Sequence, residues 1–257
     1  MKKFINILQF LTRITIDKNI SYERNMGSGL IYFPLVGAII GLLMTIVGLI
    51  LSKLINVQYS NIIIATLVVF TEVVLTGGLH IDGFGDTFDG MLSYRNKDEI
   101  LRIMKDPRLG TNGLLAVIFL ILFKVLAIFL LLGSKNIWPI FLMPILGRYV
   151  CVVLSYKTIP ARSSGMGNMF IGKCDIGTLV ATSSICGLVA MIVSLVFTAN
   201  IMISIFTLAS IPLLYVFAGI FEYLIYKKID GLTGDVLGCG IELAELIFLI
   251  YIIIIIG

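Results

Sequence analysis

Seven apolar runs constrain this chain more than any motif it carries. They cover about residues 29–52, 61–79, 113–132, 137–156, 177–198, 201–226 and 236–256, each long enough to cross a hydrocarbon core of about 30 Å. Lipid offers no partner for a backbone N–H or C=O, so each run must satisfy those groups within itself, as a helix. The expected fold is all-α, a polytopic helical membrane bundle of about seven spans forming a single domain over residues 1–257. Only 13% of the residues are charged and 59% are hydrophobic, against about 25% charged in a soluble domain.

The first 25 residues precede these runs. Phe4, Ile7, Leu8 and Leu11 recur at helical spacing beside Lys2, Lys3 and Arg13, which predicts an N-terminal helix lying in the membrane interface. Pro34 predicts a bend in the first span. Seven crossings would place this arm and the connections at about 80–112, 157–176 and 227–235 on one side of the bilayer. Fifteen of the nineteen Lys and Arg residues fall there, against Lys53 and Lys135 on the other side. That asymmetry makes the basic side cytoplasmic and the C-terminus external. It also accounts for the net charge of +4 without a nucleic-acid partner.

The segment from Gly77 to Gly90, GGLHIDGFGDTFDG, gathers His80, Asp82, Asp86 and Asp89 where an apolar run meets the basic side. At about 100° per residue, Asp86 falls about 40° from Asp82 around a helix and Asp89 about 20° on the other side. Three carboxylates on one face repel one another, so the arrangement calls for a cation between them. Oxygen-only ligands favour Mg²⁺, whose remaining positions go to water and substrate phosphate. A solvated acidic helix end has the same spacing, but acids flanking a membrane segment are costly and point to function.

Other charged groups fall into the same set of connections. Arg102, Lys105 and Arg108, with the backbone of Gly110 to Gly113, could hold phosphates by charge and by N–H groups at a helix start. Arg162 lies in IPARSSGMGNMFIGKCD, a glycine-rich loop suited to a flap over an anionic substrate. Asp235 in GLTGDVLGCG could complete a metal or ribose site, or simply cap the last helix. Inside the runs stand Glu72, Lys124, Arg148 and Glu222. Lys124 and Arg148 either reach a substrate phosphate or pair with Glu72 or Glu222, because unpaired charges are costly there. Glu242 and Glu245 read as solvated near the end of the last run. His80 has no partner histidine, which leaves hydrogen bonding or acid–base work open. The four cysteines form no CxxC pair and, with one histidine, supply no zinc site.

These motifs carry a family resemblance. GGLHIDGFGDTFDG, KDPRLGTNG, ARSSGMG and GLTGDVLG, in this order, with QFLTRITI and YFPLVGAIIG before them, resemble cobalamin synthase, the adenosylcobinamide-GDP ribazoletransferase family, over nearly the whole chain. The resemblance departs at Gly85 and Phe88, where that family more often carries alanine, and at Asp230, where it more often carries glycine. It implies a multi-pass enzyme of a bacterial or archaeal cytoplasmic membrane that transfers phosphocobinamide from adenosylcobinamide-GDP to α-ribazole or its 5'-phosphate, releasing GMP. Mg²⁺ is the expected cofactor, with Asp82, Asp86 and Asp89 as metal-binding and catalytic residues and one of them doubling as general base. His80, Arg102, Lys105, Arg108, Lys124, Arg148, Arg162 and Asp235 are the expected substrate-binding residues. The lipid bilayer is a partner, and a homo-oligomer or association with other corrinoid enzymes is left open.

Two other readings share some of these features. A CDP-alcohol phosphotransferase of phospholipid synthesis also clusters aspartates at a membrane, but its DGxxAR signature is absent here and DGxxDxxDG stands instead. An ion-coupled transporter would use Glu72, Lys124, Arg148 and Glu222 near the bilayer midplane. The chain shows no internal repeat, and its acids gather at one end of the spans. A purely structural subunit leaves the acidic segment unexplained.

Overall fold

The computed structural model describes residues 2–18, 26–55 and 57–256. Residues 19–25, including Arg24 and the end of the expected interfacial arm, lie outside the described residues, as do Met1, Asn56 and Gly257. Among those described there is no strand, only isolated bridges between Tyr156 and Cys174 and between Pro160 and Leu232. The helices are α1 (Lys2–Leu11), α2 (Phe33–Leu54), α3 (Ser60–Thr76), α4 (Leu79–Met91), α5 (Lys97–Ile103), α6 (Thr111–Gly133), α7 (Trp138–Leu154), α8 (Ile176–Thr198), α9 (Ile201–Leu208), α10 (Ser210–Ile229) and α11 (Gly234–Ile256). Short 3₁₀ turns cover Gly27–Tyr32 and Met166–Met169. Pro34 sits in the first turn of α2, where its missing N–H costs nothing, so the change of direction is a 3₁₀-to-α junction.

Five helical stretches are long and apolar enough to cross a membrane: Gly27–Leu54, Thr111–Gly133, Ile176–Thr198, Ile201–Ile229 and Gly234–Ile256. The bent pair α3 and α4 makes six if it counts as one broken span, and α7, an apolar helix of 17 residues, matches the remaining expected run. Two features set these runs apart from the other five. First, α3 and α4 meet at 92°. Gly77 (φ +64°) and Gly78 (φ +73°) occupy the left-handed region at the corner, a conformation glycine adopts without steric cost. Second, α7 has 17 residues, the short end of the range for a spanning helix.

Helix α7 is the pillar of the bundle instead of a lipid-facing span. Nearly all of it is buried, including Trp138, whose indole N–H donates to Asn136 Oδ1 at 3.3 Å and does not serve an interfacial belt. Gly37 of α2 lets the two backbones touch: a Cβ there would stand 2.7 Å from Ile145 Cα. Helix α11 packs along another side of α7. The outer faces of α6 and α8 carry apolar side chains near half exposure, such as Phe119, Leu122, Leu188 and Ile192, the surface a bilayer would cover. Helix α1 spends its apolar face on protein: Ile7, Leu8 and Leu11 are buried, Ile7 packs over Gly29, and Phe4 meets Tyr32 edge-on.

Candidate active site

Glycines decide where the acidic helix lies. A Cβ on Gly83 would stand 2.8 Å from the carbonyl oxygen and 2.9 Å from the Cα of Asp235, and one on Gly238 would stand 3.2 Å from His80 Cα. Helices α4 and α11 thus touch backbone to backbone. That contact brings the Asp82–Asp86 face of α4 beside the first turn of α11, where Asp235 sits.

Two cavities flank α4. The smaller, about 220 Å³, is lined by His80, Asp82, Arg162 and Asp235 and walled by Phe10, Phe33 and Phe170. The larger, about 670 Å³, is lined by Arg13, Asp82, Asp86, Lys105 and Asp106. Asp82 and Leu79 belong to both. The N-terminal arm, the 77–109 region, the 162–170 loop and the start of α11 therefore converge at one end of the bundle. The Asp86 carboxyl stands in the field of Asp82, Asp235 and Asp89, so the like-charge crowding expected from the spacing is present and extends to α11. Asp235 is partly compensated: Arg162 Nη2 lies 3.3 Å from its Oδ2, and Thr233 Oγ1 donates to the same oxygen at 3.2 Å.

The third acid of the motif has different work. Asp89 accepts a hydrogen bond from Gly110 N–H at 2.6 Å on one oxygen and from Gly113 N–H at 2.8 Å on the other, and it lines neither cavity. Its carboxylate answers unpaired N–H groups at the start of α6, where helix N-termini favour negative charge. Asp89 thus anchors the start of α6, and it occupies the Gly110 and Gly113 amides that were expected to cradle phosphate. Glycine is required at Gly113, because a Cβ there would lie 2.5 Å from Asp89 Oδ2.

The basic candidates separate in the same way. Lys105 and Arg162 line the cavities, whereas Arg102 is exposed and lines neither. Arg108 is turned onto Asp106 through two hydrogen bonds of 2.9 and 2.7 Å, which hold the Asp106 carboxyl down at about 2.

Lys124 and Arg148 lie in the core and line neither cavity. The Lys124 ammonium (α6) donates to Glu72 (α3) at 3.1 Å and to Glu242 and Glu245 (α11) at 2.6 and 2.5 Å. The Arg148 guanidinium (α7) pairs with Glu245 and places Nη2 3.2 Å from His80 Nδ1. The pairing alternative is the one realised, with Glu72 as a partner and without Glu222. Glu242 and Glu245, 2% and 0% exposed, are buried participants and not solvated ends. Their spacing of three within an apolar run was the signal that could have found them. Among the described residues these three glutamates are the acids whose oxygens lie within 4.8 Å of one another, and Lys124 fills the space between them.

Comparison with known proteins bears on the same residues. The chain matches the family described as cobalamin-5-phosphate synthase over residues 3–253. It is 47% identical over 258 residues to the adenosylcobinamide-GDP ribazoletransferase of Clostridioides difficile, covering 100% of this chain and 98% of that one. It is 42% identical to the enzyme of the same name from Alkaliphilus metalliredigens, covering 100% and 97%. It is 35% identical to that of Fusobacterium nucleatum, covering 99% and 98%. No solved structure matches. With a match from end to end and relatives this close, the chain belongs to the cobalamin-5-phosphate synthase family.

Proposed function

We infer that this protein is an adenosylcobinamide-GDP ribazoletransferase, carrying out the last step in assembly of the cobalamin nucleotide loop. The observation that carries this reading is the full-length kinship with enzymes of that name. The geometry supports it, because two cavities that share Asp82 give two substrates one meeting point. In the reaction a ribose hydroxyl oxygen of α-ribazole, or of its 5'-phosphate, forms a P–O bond to the phosphorus borne by cobinamide. The bridging P–O bond to GMP breaks, and its electron pair leaves with GMP. The hydroxyl proton passes to a carboxylate of the Asp82–Asp86 pair, the acids nearest both cavities.

The donor chemistry on α4 suits Mg²⁺. Asp82 and Asp86 offer only oxygens and stand in one another's field, and they would hold the ion with water and substrate phosphate completing its shell. Bound there, it would supply the charge neutralisation that phosphoryl-type transfers depend on. Asp89 lines neither cavity and already answers two backbone amides of α6, so this reading leaves the ion to Asp82 and Asp86. The cavity end of the bundle faces the cytoplasm in this reading, supported by the gathering of Lys and Arg in the segments that converge there.

The test is GMP release and cobalamin formation by the purified protein in lipid nanodiscs, from adenosylcobinamide-GDP and α-ribazole, with Mg²⁺ and with EDTA. Asp82→Asn and Asp86→Asn run alongside. Product from wild type with metal, and none from either folded variant, is expected. No product with either form of ribazole defeats the reaction, and normal rates in the Asp→Asn variants keep the reaction but remove this site.

A further inference from the structure

We propose that the two cavities divide the substrates: the smaller takes the nucleoside acceptor, and the larger takes the pyrophosphate of the nucleotide-linked donor. This rests on the transferase reading and assigns each substrate a place within it.

Size decides first. A corrinoid joined to a nucleotide is too large for about 220 Å³, whereas the cavity of about 670 Å³ has room for the pyrophosphate and its neighbouring groups, with the corrinoid extending beyond it. Charge points the same way. The smaller cavity sets Arg162 alone against Asp82 and Asp235, and Arg162 is already paired with Asp235. A pyrophosphate there would meet net negative charge. The larger cavity sets Arg13 and Lys105 against Asp82 and Asp86, and its remaining acid, Asp106, is neutralised by Arg108 and feels Arg102 nearby. The basic and acidic groups of the larger cavity thus balance, whereas those of the smaller one leave net negative charge.

The walls of the smaller cavity suit a flat aromatic base on a ribose. Phe170 lies 5.1 Å, centroid to centroid, from both Phe10 and Phe33, and these rings make an apolar wall. The same cavity is lined by polar groups able to hold a sugar, among them Asn168 and His80. His80 is 3% exposed, and its Nε2 has no partner among the described residues. The hydrogen bond at its other nitrogen determines what Nε2 can do. Arg148 can only donate, so Nδ1 must accept, and the hydrogen of the neutral ring sits on Nε2. His80 is thereby held as a donor toward the acceptor nucleoside, and Arg148 is its positioning residue.

Steady-state kinetics on the full chain in nanodiscs with Mg²⁺ test the allocation. Phe170→Leu is expected to raise KM for α-ribazole about three- to tenfold, the worth of a lost aromatic contact, with KM for adenosylcobinamide-GDP unchanged. Lys105→Ala is expected to raise KM for adenosylcobinamide-GDP alone. Because Phe170 is buried and its replacement could unfold the chain, a second measurement uses wild type. The single histidine gives an unambiguous ¹⁵N signal in histidine-labelled protein. At neutral pH it should show hydrogen on Nε2 and a bare Nδ1; α-ribazole alone should shift Nε2, and GDP with Mg²⁺ should not. Arg148→Gln should release the tautomer, which a purely structural Arg148 would not do. Exchanged or unseparated KM effects, hydrogen on Nδ1, or a shift with GDP alone overturn the allocation and leave the reaction standing. A wild type that makes no cobalamin takes both down.

Discussion

Asp89→Asn separates anchoring from catalysis within one motif. The substitution keeps the side chain's shape and one acceptor oxygen, but it turns an NH₂ toward either the Gly110 or the Gly113 N–H. One charge-assisted hydrogen bond of about 1.5–3 kcal/mol is lost and a donor is left unpaired at about 1–3 kcal/mol, together about 2.5–6 kcal/mol of stability. The start of α6 also loses a negative charge placed where a helix favours one, a further loss of about 0.3–1 kcal/mol. Asp82→Asn and Asp86→Asn should behave in the opposite way. Each removes a charge from a crowded set, so thermal stability holds or rises while turnover falls by about 10²–10³, the scale of losing a principal electrostatic group. The assay pairs thermal unfolding in nanodiscs with GMP release across a Mg²⁺ titration. Asp89→Asn should lower the unfolding temperature by several degrees, and the fraction that stays folded should show an unchanged half-saturating Mg²⁺. An Asp89→Asn protein as stable as wild type, but needing far more Mg²⁺, would return Asp89 to the metal and refute the anchor.

Gly83→Ala drives a methyl into the Asp235 backbone, so it should cost about 1–3 kcal/mol and part α4 from α11, with a more than tenfold loss of turnover measured by GMP release. Gly85→Ala meets only the ends of Leu109 and Val117, at 3.0 and 3.4 Å, and should unfold at the same or a higher temperature with normal activity, gaining up to about 1 kcal/mol of helix propensity. Lys124→Met leaves three buried carboxylates facing Arg148 alone and should destabilise by about 3–5 kcal/mol, read as a lower unfolding temperature. Adding Glu72→Gln and Glu242→Gln should recover part of that loss; no recovery would mean that charge is not the cause.

Much of this architecture was legible because lipid imposes a simple rule. Apolar runs of about twenty residues become helices whatever their detailed order, so the all-α bundle followed from length and composition. Hydropathy found α7 as an apolar run but cannot distinguish a helix surrounded by lipid from one surrounded by protein, and α7 is the latter. Asp82, Asp86, Lys105, Arg162 and Asp235 could be singled out from residue type and spacing, and all five line the cavities. Asp89 could not be separated from them, since helical periodicity reports the face a residue occupies and not which backbone approaches that face. Spacing likewise could not choose between the two readings of Lys124 and Arg148, of which the structure shows the pairing. Their partners come from α3 and α11, more than fifty residues away in each direction for Lys124, and only the packed bundle brings them together.

The buried ion network bears on why α4 holds its place. The α4–α11 contact is made backbone to backbone at Gly83 and Gly238, and Phe84 and Cys239 pack beside it in a small apolar cluster. A slide of one residue would rotate Asp82 by about 100° and carry it out of both cavities. The network adds a polar constraint. Lys124 ties α3, α6 and α11 to one point, Glu245 hands that point to Arg148 on α7, and Arg148 ends on His80, two residues before Asp82 on α4. Charged groups buried in this way contribute little net stability compared with apolar side chains of the same volume, but they tolerate few alternative arrangements. Asp89 secures the other end of α4 through the amides of α6. Helix α4 is thus fixed at both ends by polar contacts of defined geometry and along its length by glycine, an arrangement that gives up stability to hold two carboxylates at the boundary between two cavities.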